Sequence, residues 1–341
     1  MLFGLLLPAV NKVRTAARIG VSRSNLRQLG IAHESYASDW ADRHVTYTRD
    51  NLGIAGGDVF DYCNLIYGTN NGFESHPPIL AGWGYNLAGD YVAWAYWPAG
   101  TSRPMFQPIN FPGPPHTHIG ATGWGWYRFG IQATAFNSYV SHRTQDPIFY
   151  APNDRWIYDR VQPCFDVPGD FVAFPRRCNP AWSSYGMSPA GLFNPHVFGD
   201  NGRGRLWNAP WEMPAGYRVP SLGQVAHPSL KTHMIEHHWL QNAKLPCNKS
   251  FLGCSPFFFN HSFLSKPVTL FYDGSVRFLG VTEAMSADRR QMRQSGAGLW
   301  SRDTPFGVDG HFISDGYDFA ETSFHMLTID GVRGRDTIAG E

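Results

Sequence analysis

Residues 1–40 read MLFGLLLPAVNKVRTAARIGVSRSNLRQLGIAHESYASDW, and this stretch decides the fold. Residues 1–10 are almost all apolar, and residues 11–30 carry five basic side chains and no acid. Beyond Pro8, apolar residues recur at spacings of three and four, which is typical of a helix with one buried face. The pattern predicts one helix to about Trp40, kinked near the proline because proline lacks a backbone donor.

The apolar start of this helix is too short to cross a bilayer, which takes about twenty helical residues. A secretory signal peptide carries its charge before its apolar run, whereas here the charge follows it. The segment as it stands is therefore predicted to be neither a signal peptide nor a membrane span. We expect the natural reading frame to continue upstream of Met1.

Composition limits the classes of function that the chain can have. The 341 residues are enough to bury a sizeable core without a metal or a disulfide. The formal net charge is +1, so no overall field attracts the protein to nucleic acid. The 36 glycines and 25 prolines favour many turns and short strands. No internal repeat follows the helix, which indicates one continuous head.

A second informative stretch is PVTLFYDGSVRFLGV at residues 267–281. Two runs rich in β-forming residues flank Asp273-Gly274, a pair that suits a two-residue hairpin turn with positive φ. This register places Phe271 opposite Val276 and predicts one mainly apolar face. That face consists of Thr269, Phe271, Val276 and Phe278. We expect it to pack against another element, with the N-terminal helix as the candidate.

The first helix resembles the start of bacterial prepilin-type proteins, including the pseudopilins of type II secretion. The matching strings are G-L-L-L-P-A-V-x-K-V-R-x-A-A-R from Gly4 and S-N-L-R-Q-L-G-I-A-x-x-x-Y from Ser24. In that family a basic stretch, a cleavage-site glycine and an apolar run with one Glu precede the leucines, and a kink proline matches Pro8. The resemblance implies that these features lie upstream of Met1, where roughly fourteen apolar residues would complete a membrane-length helix.

The residues that we assign to an assembly helix lie within this matching region. They are Leu6, Pro8, Lys12, Arg14, Arg18, Arg23 and Arg27. Because like charges on one helix repel each other, we expect the five basic side chains to form a stripe that meets an acidic partner or the membrane surface. A solvated face is the alternative interpretation.

The hairpin stretch extends the resemblance. FNHSFLSKPVTLFYDGSVRFL, residues 259–279, resembles the H-x9-D-G motif of a large bacterial family of prepilin-type proteins, the domain of unknown function 1559. His261, Asp273 and Gly274 carry the motif, although the spacing between the histidine and the aspartate is eleven residues instead of nine.

These resemblances imply an α+β, pilin-like fold in which a long N-terminal helix packs on an antiparallel β-sheet within a large, loop-rich β head. The helix, with its membrane part truncated, occupies residues 1–40 and the head occupies residues 41–341. The implied function is a non-enzymatic structural subunit of an exported surface or secretion-type assembly. Its precursor would be anchored in the inner membrane, with the head in the periplasm or outside the cell. The implied partners are copies of itself or other pilin-like subunits, joined through the helix.

The main alternative is a membrane-tethered surface protein that binds carbohydrate. The chain has twelve tryptophans, and exposed tryptophan and tyrosine can stack on the apolar faces of sugars. Several lie in two glycine-punctuated strand candidates, residues 82–100 and 123–130. They are Trp83, Trp94, Trp97, Trp124 and Trp126. A broad core filled by these rings is the simpler interpretation, because tryptophan is highly buried on average.

The five cysteines contain no C-x-x-C motif, which argues against a zinc ribbon. In an oxidising compartment, the short separations favour the disulfides Cys164–Cys178 and Cys247–Cys254 and leave Cys63 free. Five buried thiols in a cytosolic protein is the alternative.

Three patterns are candidates for metal ligands, and no cofactor is expected otherwise. His233-Met-Ile-Glu236-His237 matches the H-x-x-E-H string of some zinc peptidases, but its surroundings favour a strand in which Glu236 points away from the histidines. His116 and His118 lie in a proline-rich loop. An acidic, glycine-bearing loop is a weak calcium candidate and contains Asp309, Asp315 and Asp318.

Overall fold

The computed structural model describes the N-terminal helix, two small sheets and the segments that join them to the C-terminal region. The described residues are 2–44, 79–85, 91–97, 105–109, 139–141, 146–154, 158–159, 162–166, 184–191, 193–200, 208, 213, 215–216, 218–236, 257–258, 266–301, 325 and 327–338.

Helix α1 spans Leu2–Asp39 and continues through Pro8, which agrees with the predicted end near Trp40. Its second half buries one side, which is formed by Leu26, Leu29, Ala32 and Tyr36. These positions are three or four apart, so they lie on the same face of the helix. The chain then turns at Ala41 and Asp42 and forms an isolated bridge between Arg43 and Ser221.

The described residues form two four-stranded antiparallel sheets. The first has the order β3-β2-β1-β6, with β1 at Ile79–Tyr85, β2 at Tyr91–Trp97, β3 at Met105–Ile109 and β6 at Phe257–Phe258. The second has the order β4-β5-β7-β8, with β4 at Tyr185–Met187, β5 at Thr232–Glu236, β7 at Val268–Phe271 and β8 at Val276–Phe278. A helix packed on an antiparallel sheet is an α+β arrangement, as expected.

The second sheet carries α1 on one of its faces. Val268 and Leu270 of β7 and Met234 of β5 form one buried cluster with the apolar side of α1. Gly30 lies so close to β7 that a Cβ atom there would stand 3.0 Å from Leu270 Cδ2. The helix therefore packs directly on the strand at this glycine.

The predicted hairpin is confirmed, but its predicted turn is wrong. Leu270 pairs with Val276, and Phe271 N donates to Ser275 O at 2.9 Å, so the loop has three residues instead of two. Gly274 alone in this loop has positive φ, at +78°, which is typical of a type I turn followed by a left-handed residue.

Because of this shift in register, the predicted packing face of β7 is also wrong. Because side chains alternate along a strand, a slip of one residue on β7 exchanges its two faces. Val268 and Leu270 contact α1, whereas Phe271 lies under Arg277, whose Cζ is 3.9 Å from the ring centre. Val276 and Phe278 do pack against the α1 cluster, as predicted.

The C-terminal region closes back onto β5. Helix α2 spans Val281–Ser295 and ends at Gly296, whose φ of +79° is the left-handed conformation common after helices. Further on, Asp336 forms a fully buried ion pair with Lys231, with 2.6 Å between Oδ2 and Nζ. The same carboxylate accepts from Thr232 N and Thr232 Oγ1, and Thr328 donates to its other oxygen.

Candidate functional site on the first helix

Helix α1 consists of an exposed first half and a docked second half. Every side chain from residue 7 to residue 17 is exposed, whereas buried positions recur from Ser22 onward. The first half therefore projects beyond the sheet that holds the second half. A helix held along only part of its length offers its remaining surface to other molecules.

The exposed half carries a line of apolar side chains that we call the apolar stripe. Leu7, Val10, Val13 and Val21 are 64%, 51%, 69% and 49% exposed, and Ala17 between them is also exposed. Their spacings of three and four residues keep them within about 120° of the helix circumference and over about 20 Å of its length. This spacing is the one that lets a helix pack along another helix.

The five basic residues of the predicted stripe do not lie along one line of α1. Lys12, Arg23 and Arg27 lie within about 60° of one another, on the side of the helix away from the apolar stripe. Arg14 and Arg18 instead lie on the side that contacts the sheet further along, and Arg14 falls within the arc of the apolar stripe. The reason is that separations of two and five residues do not keep one helix face. Leu6 and Pro8, the other two assembly residues, lie near the start of α1.

One of the predicted assembly arginines already has a partner in the head. The Cζ atom of Arg23 lies 4.9 Å from the centre of the Phe278 ring, within the range of a cation–π contact. Its charge therefore helps to hold α1 on β8.

The docked half is fixed near its start by a group of buried polar contacts. Ser22 Oγ lies 2.9 Å from the hydroxyl of Tyr185 and donates to Oε1 of Glu236. Asn25 Nδ2 donates to the carbonyls of Pro147 and Tyr150, each at 3.2 Å. Burial, followed by the nearby Glu236, raises the pKa of Tyr185, so its hydroxyl keeps its proton. These contacts specify the position of α1 along the sheet.

About three turns further along α1, three buried histidines meet, and we call them the histidine cluster. His33 comes from α1, His44 from the segment after it, and His233 from β5. The ring centres of His33 and His233 are 4.5 Å apart, those of His33 and His44 are 5.1 Å apart, and those of His44 and His233 are 5.9 Å apart. Tyr272, from the hairpin turn, stacks on His233 at 4.4 Å with 14° between the ring planes.

An irregularity in β5 brings His233 into this cluster. Thr232 pairs with Phe271 and Met234 pairs with Leu270, so His233 has no paired residue on β7 and forms a β-bulge. A bulge breaks the strict alternation of side chains, which lets His233 reach α1 although Met234 also faces it. Glu236 contacts α1 as well, through Ser22, so the prediction that it points away from His233 is wrong. The predicted strand itself is confirmed.

The hydrogen bonds of His44 determine which tautomer its neutral ring adopts. Nδ1 lies 2.8 Å from the carbonyl of Pro220 and must donate to it, because a carbonyl has no proton. Nε2 then accepts from the hydroxyl of Tyr272 at 2.7 Å. Gly191 lies against this pair, and a Cβ atom there would stand 2.9 Å from Cδ2 of His44. The contact is thus closed to any larger residue.

Burial determines the charge state of the cluster. It lowers the pKa of His33 well below its usual value, and repulsion from His233 and His44 lowers it further. Burial also lowers the pKa of His233, with further contributions from His44 and Lys231. Burial also lowers the pKa of His44, to about 4, although its hydrogen bond to Pro220 and the nearby Asp42 oppose the change. All three rings are therefore neutral at pH 7.

Sequence reasoning missed this cluster. Of its members, the sequence pattern identifies only His233, as part of a zinc-peptidase string. Its one local signal is a histidine on the apolar face of a predicted helix. That signal identifies neither His44 nor Tyr272, because both reach the cluster through contacts between distant parts of the chain.

The hairpin motif residues have a structural role in the turn. Gly274 supplies the left-handed residue, and Asp273 Oδ1 accepts from Ser275 N at 2.9 Å. The third motif residue, His261, lies outside the described residues.

Most of the other predicted site residues also lie outside the described residues. They are Asp309, Asp315 and Asp318, His116, His118 and His237, Cys63, Cys178, Cys247 and Cys254, and Trp124 and Trp126. Cys164 lies in the short turn Gln162–Cys164, and Trp83, Trp94 and Trp97 lie on β1 and β2. Within the described part of the chain, no group of three His, Cys, Asp or Glu side chains is arranged to hold a metal ion.

Comparison with known protein families, with curated proteins and with solved structures gives no match to this chain. Among the helices that the structure describes, none is both long and apolar enough to cross a membrane.

Proposed function

We propose that the chain is a non-enzymatic, pilin-like structural subunit that assembles with copies of itself or with related subunits through α1. The observation that carries the proposal is the division of α1 into a docked half and an exposed half with an apolar stripe. The prepilin-like sequence of the same helix supports it, because that family uses its first helix for assembly. The proposal includes an exported head and an inner-membrane precursor.

Energetics favour a helical partner for the apolar stripe. Fully burying one valine side chain is worth about 1.5–3 kcal/mol, so several such side chains left in water represent a considerable unused free energy. The stripe runs along the helix, which matches the shape of another helix better than that of a compact ligand. Lys12, Arg23 and Arg27 stay in water when the stripe is covered. Arg14 lies within the arc of the stripe, so its charged end has to reach water at the edge of the contact.

The test compares self-association of the full chain with that of two variants carrying the same charge change. Val13→Glu places a carboxylate in the apolar stripe, whereas Thr15→Glu places it on an exposed part of α1 about 160° around the helix from Val13. Sedimentation equilibrium over a range of concentrations should show association of the unmodified chain. Val13→Glu should weaken the association constant at least tenfold, which corresponds to about 1.4 kcal/mol, and Thr15→Glu should leave it nearly unchanged.

Two outcomes contradict the proposal. The first is a chain that stays monomeric at all concentrations, both alone and reconstituted with an upstream apolar segment. The second is an equal effect of the two glutamates, which would mean that association uses a surface other than the apolar stripe.

A further inference from the structure

The histidine cluster joins α1 to the segment that follows it and to β5. His33 belongs to α1 itself, His44 follows the turn after α1, and His233 belongs to β5 of the sheet. Tyr272 adds the β7–β8 hairpin through its stack on His233 and its bond to His44. A change of charge in this cluster therefore acts at the centre of the contact between α1 and the sheet.

We infer that the histidine cluster is a pH-sensitive latch that holds α1 on the sheet at neutral pH and releases it in mild acid. The inference goes beyond the proposed function, and it holds whether or not the chain assembles. It rests on three imidazoles from separate elements that are buried within 4.5–5.9 Å of one another.

Protonation disrupts the cluster in two ways. Up to three positive charges would share one buried space, where like charges repel more strongly than in water. In addition, Nε2 of the neutral His44 ring accepts a hydrogen bond from the Tyr272 hydroxyl. The protonated ring cannot accept this bond. Both effects are relieved when α1 leaves the sheet, because the rings then reach water.

The charged and titratable neighbours leave this conclusion unchanged. Lys231, just before β5, adds a positive charge that disfavours protonation of His44 and His233. Asp42 favours protonation of His44. Asp336 is already paired with Lys231, and the rings of Tyr36 and Tyr272 also contact the cluster. Glu236 contacts α1 at Ser22, about three turns away from His33.

The direction of the pH dependence follows from the lowered pKa values. The folded state keeps these histidines neutral at pH values where the unfolded or released chain binds protons. Docking is therefore fully stable above about pH 6.5 and weakens as the pH falls. For His44 this window ends near its folded-state pKa of about 4. Within the window, each histidine that gains a proton on release changes the release equilibrium about tenfold per pH unit.

The test uses hydrogen exchange of the full chain at pH 7.5 and pH 5, corrected for the intrinsic pH dependence of amide exchange. Amides of residues 24–39 in α1 should lose protection by at least tenfold at pH 5, while those of α2 keep theirs. Loss of protection in both helices together would show global unfolding and would overturn the latch. Unchanged protection of α1 at pH 5 would also overturn it. This comparison needs no variant.

A conservative variant adds a second arm. His233→Phe keeps a ring to stack on Tyr272 and removes one proton-binding group. Its control is His227→Phe, which makes the same change at an exposed histidine. The first variant should reduce the pH dependence of α1 release by about tenfold per pH unit, and the control should not. Equal pH dependence in the two variants would assign the effect to groups outside the histidine cluster.

Discussion

At the scale of single residues, the C-terminal region depends on one carboxylate. Asp336 faces Lys231 at 2.6 Å, and neither side chain reaches water. Four further donors converge on the same carboxylate: Thr232 N, Thr232 Oγ1, Thr328 Oγ1 and His325 N. A buried ion pair of this kind contributes little net stability, but removing one partner leaves an uncompensated charge. Lys231 Nζ also donates to the hydroxyls of Ser188 and Thr328, but these neutral acceptors do not replace a carboxylate. The two partners should differ, because the carboxylate keeps four donors when the lysine is removed.

We expect Asp336→Ala to destabilise the protein by about 3–5 kcal/mol, because Lys231 loses its counter-charge and the four converging donors lose their acceptor. Lys231→Met should cost less, since the carboxylate keeps its four other donors. Urea unfolding at pH 7 measures both. If the two variants are equally stable, the hydrogen bonds to Asp336 contribute nothing beyond the ion pair.

At the scale of elements, α1 and the β7–β8 hairpin show what local sequence determines. The end of α1 and the existence of the hairpin follow from periodicity and from the Asp273-Gly274 pair. The register of the hairpin does not, because a two-residue and a three-residue loop both accept Asp-Gly and differ only in which face of β7 is buried. Leu270 packed against Gly30 selects the three-residue loop, and this contact joins residues distant in sequence.

The three-residue loop predicts a specific response to substitution at Gly274. Its φ is +78°, and a Cβ atom there would meet nothing within 4 Å, so any cost of a side chain comes from backbone strain alone. Gly274→Ala should lower the free energy of unfolding by about 1–2 kcal/mol. Gly274→Asn should cost less, since asparagine tolerates the left-handed conformation. Thermal or urea unfolding distinguishes the two. Equal costs for the two variants would contradict a left-handed residue at this position.

The candidate site was predictable only in part, because contacts between residues distant in sequence determine it as well. Helix α1 could be located from its sequence, but the arrangement of its apolar and basic residues around the helix required the helix geometry. The histidine cluster could not be predicted, because His33, His44 and His233 meet through the turn after α1 and the bulge in β5. Neither the turn nor the bulge has a distinctive local sequence.

At the scale of the whole molecule, the proposed export of the head predicts an oxidising environment for its cysteines. We expect disulfides at Cys164–Cys178 and Cys247–Cys254 and a free thiol at Cys63. A bridge that closes a loop of about fifteen residues contributes roughly 3 kcal/mol in the chain-entropy account. Peptide mapping without reduction measures the pairing. Complete alkylation of either pair in protein isolated from its native compartment would contradict the exported location as well as the disulfide.

The contacts of α1 and of the segment after it also determine when α1 can dock on the head during synthesis. Ser22 meets Glu236 across 214 positions of the chain, and His44 meets Tyr272 across 228. At a translation rate of 5–20 residues per second, roughly 10–45 s pass between the appearance of the helix and that of the strands that receive it. Throughout that interval the docking face of α1 and the apolar stripe are equally uncovered. Nascent chains on neighbouring ribosomes thus have time to pair through the wrong side of the helix, and a chaperone or a membrane that holds α1 would prevent this.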